Sequence, residues 1–131
     1  MKLILMFDSY IQTLQDFEDF DGRSSRKEFW TYIFVHLLVI LGICCIGIAF
    51  RGLGLRIAFA LLVIYSGISF VPTVAVTVRR MHDIGIHGRA VFLAIVPLVG
   101  WLFLFVLCCK KGEAGVNQYG IDARIEEDEF V

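Results

Sequence analysis

Charge is missing from three long stretches of this chain. Residues 29–50, 57–78 and 90–109 contain no Lys, Arg, Asp or Glu, although the whole chain carries 12 Lys or Arg and 13 Asp or Glu. Each stretch is about 20 residues long, which is the length that an α-helix needs to cross about 30 Å of hydrocarbon. The chain is also 58% hydrophobic, above the usual share of about 45–50%. The sequence therefore excludes an ordinary soluble domain and predicts a polytopic membrane protein.

Residues that usually carry chemistry are scarce as well. The chain has three histidines and four cysteines, and the cysteines form two adjacent pairs rather than spaced metal-binding or redox motifs. The sequence contains no phosphate-binding glycine loop, dinucleotide fingerprint or nucleophile elbow. It also lacks the basic and aromatic pattern that is typical of nucleic-acid binding. We therefore expect no cofactor, no metal and no nucleic-acid partner, and we expect a protein that is not an enzyme.

The predicted fold is all-α: a bundle of three transmembrane helices, preceded by an amphipathic interfacial helix, in a single domain over residues 1–131. The amphipathic helix covers residues 1–19, where apolar residues recur in steps of three and four, at Leu3, Phe7, Tyr10, Leu14 and Phe17. Its polar face is acidic, so we expect it to pack against the protein's own spans or a partner rather than on anionic lipid. The three spans are the charge-free stretches at 29–50, 57–78 and 90–109.

The polar segments between the spans predict an orientation. Three spans place the N-terminal segment and the link 79–89 on one membrane face, and the link 51–56 and the polar tail 110–131 on the other. The first face then carries seven Lys or Arg and the second carries five. Because Lys and Arg collect on cytoplasmic segments, we expect the N-terminus and the 79–89 link in the cytoplasm and the tail outside. The acidic end of the tail is expected to be disordered.

Three motifs together resemble one known family. The first is GRSSRKEFW at residues 22–30, and the second is RRMHDIG at residues 79–85. The third begins with PLVG at residues 97–100 and continues with Gly112, Gly115, Asn117, Tyr119 and Gly120. These motifs resemble the signatures of the bacterial family called domain of unknown function 805 (DUF805). The resemblance covers residues 15–122 and implies a small helical protein of the bacterial inner (cytoplasmic) membrane, with no assigned function.

A charged collar is predicted on the first membrane face, where the first span begins and the second ends. Its cations are Arg23, Arg26, Lys27, Arg79 and Arg80. Glu28 and Asp83 are expected to form structural ion pairs with these arginines. The bland interpretation is that the cations only fix the orientation of the spans. The functional interpretation is that they bind an anionic lipid headgroup or a phosphate, whose oxygens match the guanidinium fork. The leading hypothesis is therefore a non-enzymatic module that binds anionic lipid or a membrane protein partner.

Polar residues and prolines gather at one predicted depth inside the spans. His36, Pro72 and Pro97 each lie six or seven residues from the same face, with hydroxyl groups from Ser69 and Thr73 nearby. An ionisable residue inside the membrane marks function by default. The alternative hypothesis is therefore an oligomeric channel or carrier lined by this polar locus, since small residues in the spans would allow a homo-oligomer. In the competing interpretation, His36 bonds to Thr73 or to a carbonyl freed by a proline, and only joins helices.

Two smaller patterns complete the set of hypotheses. His82-Asp83 would allow an accessory enzyme that acts on lipid headgroups, although a lone His-Asp pair is common by chance. The pairs Cys44-Cys45 and Cys108-Cys109 are both predicted toward the second face, because the first and third spans run in the same direction. A disulfide between those spans would then be possible.

Overall fold

A computed structural model describes residues 2–125 of the chain, and the side chains of these residues except 2–6 and 9. In this range the fold is all-α, as predicted, and contains no β-strand beyond one isolated bridge. The α-helices are α1 (Lys2–Gln15), α2 (Arg26–Ala49), α3 (Leu53–Asp83) and α4 (Val99–Cys109). A 3₁₀ helix, Gly88–Ile95, lies between α3 and α4. The expected disorder of the acidic end falls on residues 126–131, which lie outside the described part of the chain.

Helices α2 and α3 form an antiparallel hairpin and contain the first two predicted spans. Ser25 caps α2, because its hydroxyl accepts the backbone N–H of Glu28 at 3.1 Å. The helices are 24 and 31 residues long, and each is long and apolar enough to cross a membrane. They approach closely where Gly47 packs against Ala58. Helix α3 runs past the predicted end of the second span, so the motif residues 79–83 are helical and project beyond the apolar segment.

The structure does not contain the continuous third span predicted over residues 90–109. That segment divides into the 3₁₀ helix and α4, with a turn at 96–98 in which Leu98 has a φ of 62°. Pro97 contributes to this break, since it has no N–H and its ring displaces the carbonyl four residues earlier. The carbonyl of that residue, Leu93, accepts the N–H of Val96 at 3.0 Å instead. The length of the charge-free stretch does not distinguish a continuous span from a segment that is broken at residues 96–98.

The two arms of this segment form a short helical hairpin. They pack so closely at Gly100 that a Cβ atom there would overlap the Leu93 carbonyl. The Trp101 indole donates to the Ala94 carbonyl at 2.8 Å across the hairpin. An eight-residue 3₁₀ helix and an eleven-residue α-helix each extend about 16 Å. Each arm is therefore about half as long as the hydrocarbon core of a bilayer is thick.

Both ends of the hairpin lie beside the C-terminal end of α3. Gly88 packs against Val78 at one end, and Arg80 donates to the Cys108 carbonyl at 3.2 Å at the other. The tail continues along the same surface, where the N–H of Glu113 donates to the Asp83 carbonyl at 2.8 Å. The predicted placement of the tail, on the face opposite the 79–89 link, is therefore wrong. The tail and the link lie at the same end of the α2–α3 hairpin.

The two cysteine pairs lie far apart, because the short hairpin returns to the C-terminal end of α3. The Cys108 carbonyl lies at the Arg80 end of the molecule, whereas Cys44 lies 18 residues along α2 from Arg26, or about 27 Å. The expectation that both pairs lie toward one face is therefore corrected. All four cysteines are free, and this geometry does not allow the disulfide between the spans.

Helix α1 packs against both long helices. The Tyr10 ring stacks on Tyr32 of α2 with 5.2 Å between centroids, and its hydroxyl lies 2.7 Å from the hydroxyl of Tyr65 on α3. Asp8 and Gln12 on its other face are exposed. The hydrophobic core is formed where α1, α4 and the collar half of α2 and α3 meet, by Tyr10, Phe29, Tyr32, Val35, Val76, Met81, Leu107 and Cys108. The helix thus packs on the protein's own long helices.

Candidate anion-binding site

Asp83 is the centre of the charged collar. Its carboxylate lies 2.9 Å from Nη2 of Arg23 and also forms an ion pair with Nη1 of Arg80. The three side chains are at most 5% exposed. Burying a charge is unfavourable unless a partner offsets it, so each member of this triad depends on the others. The triad joins the segment before α2 to the end of α3.

The same two arginines hold the tail in place. Arg23 donates to the carbonyls of Gly115 and Glu113, each at 2.6 Å. Arg80 donates to the carbonyls of Cys108 and Lys110, where α4 ends. The carbonyls of Cys108 and Lys110 lie at the end of α4, where no intrahelical N–H reaches them. The guanidinium groups of both arginines are therefore occupied by acceptors from the protein itself.

Arg79 forms a second set of ion pairs on the outer side of the collar. Its Nη2 lies 3.4 Å from the Glu28 carboxylate, and its Nη1 lies 3.9 Å from Asp19. The Arg79 side chain is 7% exposed. It joins α3 to the start of α2 and to the segment after α1. Like Arg23 and Arg80, Arg79 belongs to the structural frame of the collar.

The glycine-rich tail folds over the collar. Gly112 lies against Asp83, where a Cβ atom would overlap the carboxylate, so the position requires glycine. Asn117 donates from its side-chain amide to the His82 carbonyl at 3.0 Å. The Tyr119 ring stacks on the His82 imidazole with 3.9 Å between centroids. His82 is thus covered by the tail, and Asp83 is neutralised by two arginines, which is an arrangement suited to holding the fold.

A cavity of about 170 Å³ lies beside this frame and is strongly basic. It is lined by Ser25, Arg26, Lys27, Asp83, Lys111, Gly112 and Arg124. Arg26 and Lys27 form the first turn of α2, where backbone N–H groups have no intrahelical acceptor. Lys111 follows α4, and Arg124 lies near the end of the described chain. Three separate segments therefore bring four cationic side chains to one cavity.

Arg124 is held at the cavity by Asp122. Its Nη2 lies 2.6 Å from Oδ2 of Asp122, and its Nε donates to Oδ1 at 2.8 Å. This bidentate pair holds the pKa of Asp122 well below its usual range. Asp122 also accepts the N–H of Gly115 at 3.1 Å. The pair therefore fixes both the tail loop and one wall of the cavity.

The structure divides the five cations that the sequence analysis selected. Arg26 and Lys27 line the cavity, whereas Arg23, Arg79 and Arg80 form the frame behind it. Lys111, Gly112 and Arg124 were not predicted at this site, because a third span would place the whole tail on the opposite membrane face. The basic pair directly after the third apolar stretch was the signal that could have indicated a return to the collar.

The predicted polar locus is only partly assembled. Nδ1 of His36 lies 2.8 Å from the Tyr65 hydroxyl, and Tyr32 lies 2.9 Å from Oγ1 of Thr73. Thr73 in turn donates to the Ser69 carbonyl at 2.7 Å. The sequence did not indicate Tyr10, Tyr32 and Tyr65 as members of this locus, and Tyr10 was expected only on the apolar face of the N-terminal helix.

The two prolines of this locus lie in different settings. Pro72 is buried inside α3, which continues through it. Pro97 is exposed at the tip of the short hairpin. Among the described residues, no hydrogen bond or ring contact joins Pro97 to the His36 group. The locus therefore consists of residues from α1, α2 and α3.

Together, the fold and the collar define a small all-α membrane protein. The family model for a protein of unknown function, DUF805, matches residues 17–121, and the chain therefore belongs to this family. It is 35% identical over 115 residues to the inner membrane protein YhaI of Escherichia coli strain K12, covering 88% of this chain and 94% of that protein. It is 33% identical over 122 residues to the inner membrane protein YhaH of the same strain, covering 91% and 98%. No solved structure matches the chain.

Proposed function

We propose that this protein is a non-enzymatic module of the inner membrane that binds an anionic lipid headgroup or phosphate in the collar cavity. The observation that supports this most strongly is the convergence of Arg26, Lys27, Lys111 and Arg124 from three separate segments. Arg124 is paired with Asp122, but Arg26 and Lys111 form no ion pair with an acidic side chain among the described residues, so a bound anion would offset the repulsion between them. The first turn of α2 adds N–H groups and the positive end of a helix dipole.

The collar residues divide into two roles under this proposal. Arg26, Lys27, Lys111 and Arg124 contact the anion, and Arg23, Arg79 and Arg80 hold the frame through ion pairs with Glu28, Asp83 and Asp19. Below the cavity, Trp30 and Phe105 pack edge to face with 5.5 Å between centroids. This ring contact joins α4 to α2 one helical turn after Arg26. Acyl chains of a bound lipid would follow this apolar surface.

The proposal includes a membrane topology. Helices α2 and α3 span the bilayer, and the short hairpin of residues 88–109 enters and leaves on the collar face, reaching about half the hydrocarbon thickness. Between residues 23 and 124, nine Lys or Arg then lie at the collar end, and Arg51 and Arg56 lie at the other end. This asymmetry is larger than the seven to five of a three-span arrangement. It supports a cytoplasmic collar, with the N-terminal segment, the 79–89 link and the tail on that side.

A lipid-retention experiment tests the proposed function. The protein is released from membranes in mild detergent and examined by native mass spectrometry, alongside Arg26→Gln/Lys111→Gln and the control Arg51→Gln/Arg56→Gln. Both variants remove two exposed cations, but only the first changes the cavity. We expect anionic lipid on the wild type and the control, and a loss of about tenfold in the cavity variant, as for one or two charge-assisted contacts. Equal retention by all three proteins would refute the site.

A second candidate function is an oligomeric channel or carrier. The observation that favours it is the hydrogen-bonded chain from Tyr10 through Tyr65 to His36, which joins three helices within the apolar part of the fold. A homo-oligomer would place several such chains around one axis. Flux of protons or ions into liposomes that is lost in His36→Leu would support this function. Absence of flux at high protein density would argue against it.

A further inference from the structure

The charge of the collar cavity indicates the charge of its ligand. Arg26 and Lys111 are exposed, and neither forms an ion pair with an acidic side chain among the described residues. Arg124 has its own partner in Asp122, and the Asp83 carboxylate is shared by Arg23 and Arg80. Arg26 and Lys111 thus bring two positive charges to the cavity, one from the first turn of α2 and one from the segment after α4. A single negative charge would neutralise only one of them.

The size of the cavity is sufficient for a phosphate group. Its volume of about 170 Å³ also leaves room for a few water molecules around the phosphate. Gly112 forms part of the wall, and a Cβ atom there would overlap the Asp83 carboxylate, so the tail backbone lies directly against Asp83. A phosphodiester carries a second organic substituent on phosphorus, which would have to leave the cavity past the cationic side chains. A phosphomonoester presents its free oxygens instead.

We propose that the cavity is selective for a phosphomonoester, which carries a charge of about −1.5 to −2 at neutral pH, over a phosphodiester with a single negative charge. Arg26 and Lys111 are the specificity-determining residues, since each would pair with one of the charges. Arg124 and the first turn of α2 supply further donors. This inference rests on the proposed function, because it names the ligand of the same site. The phosphomonoester could be the headgroup of a lipid or a soluble phosphate.

The inference is tested with two lipids that differ in this one respect. The full chain is reconstituted in nanodiscs of a neutral lipid that contain either phosphatidic acid, a phosphomonoester, or phosphatidylglycerol, a phosphodiester. Native mass spectrometry then counts the anionic lipids that remain on the released protein. We expect phosphatidic acid to be retained about tenfold more than phosphatidylglycerol at about pH 7.5. The preference should shrink at about pH 5.5, below the second phosphate pKa of about 6.

Two variants make the result specific to the cavity. Arg26→Gln/Lys111→Gln should abolish the preference, and Arg51→Gln/Arg56→Gln should keep it. A thermal melt in the same detergent verifies that both variants fold, since all four side chains are exposed and lie outside the buried frame. A separate titration with inorganic phosphate, in nanodiscs of neutral lipid only, distinguishes a soluble ligand from a lipid. Saturable binding of inorganic phosphate would assign the soluble source.

The possible outcomes separate the two proposals. Equal retention of both lipids, lost in the cavity variant, would overturn the selectivity and leave the proposed function standing. Retention of neither lipid, together with no binding of inorganic phosphate, would overturn both. Preference for phosphatidic acid that survives in the cavity variant would place the selectivity elsewhere and refute the assignment to Arg26 and Lys111.

Discussion

Arg23 and Asp83 are 60 residues apart in the sequence, yet Nη2 of Arg23 lies 2.9 Å from Oδ1 of Asp83 in the buried centre of the collar. The same carboxylate pairs with Arg80. One acidic side chain therefore holds two buried arginines, and through them the start of α2, the end of α4 and the tail. The collar is built around this single charge.

The first prediction concerns the loss of that charge. Asp83→Asn would leave two buried guanidinium groups without a carboxylate, and breaking a buried pair in this way costs about 3–5 kcal/mol. We expect a large fall in the unfolding temperature measured in detergent. Asp21→Asn is the matched control, because Asp21 is exposed and its loss should change stability by less than about 0.5 kcal/mol. Equal unfolding temperatures for Asp83→Asn and Asp21→Asn would contradict the central role of Asp83.

The second prediction concerns the tip of the short hairpin. Gly100→Ala adds a methyl group where the Leu93 carbonyl already fills the space, so we expect destabilisation of about 1–3 kcal/mol or a displaced hairpin. Gly42→Ala is the control, since that position on α2 has open space around it and alanine favours a helix. Thermal unfolding in detergent measures both variants. A Gly100→Ala protein as stable as the control would show that the arms are not closely packed.

The third prediction concerns the side of the membrane on which the tail lies. With two spans and a hairpin that returns to the same face, reporters fused to the N-terminus and the C-terminus should both be cytoplasmic. A fluorescent protein that folds only in the cytoplasm and a phosphatase active only outside it measure this directly. A fusion within the Arg51–Arg56 link is the control for the opposite face. Phosphatase activity at the C-terminus would place the tail outside the cytoplasm, and it would therefore support a continuous third span over residues 90–109.

The sequence predicted the fold best where the structure of a segment depends mainly on the residues of that segment. Residues 29–50 and 57–78 are predominantly apolar and carry no charged side chain, and nearly all of them lie in the long helices that this pattern predicts. Residues 90–109 are equally apolar, but their path depends on how Gly100 packs on Leu93, which composition does not encode. The same holds for the collar. Ion pairs such as that between Arg23 and Asp83 depend on the complete topology. The prediction of a third span placed the tail on the wrong face, and Lys111 was therefore not predicted at the collar.

The fourth prediction concerns His36. His36→Leu removes the hydrogen bond with Tyr65, whereas His36→Asn keeps a polar group at that position. If His36 only joins helices, the leucine variant should lose about 0.6 kcal/mol, a typical value for such bonds between membrane helices, and the asparagine variant less. Unfolding in detergent measures the difference. Unchanged stability in both variants would remove the packing role and favour a functional role for this histidine.

The fifth prediction concerns the acidic residues that follow Arg124. Glu126, Glu127, Asp128 and Glu129 follow the cavity residue Arg124 by two to five positions. Because these four negative charges follow Arg124 closely in the sequence, we predict that they compete with a phosphate for the cavity cations. Ending the chain after Ile125 should raise the affinity for phosphatidic acid by a few fold, with the largest gain at low salt. Native mass spectrometry over a lipid titration measures the change, and a variant with the four acids replaced by Gln and Asn separates charge from length. If the truncated chain binds more tightly but the neutral variant does not, the competition arises from the presence of the segment and not from its charge.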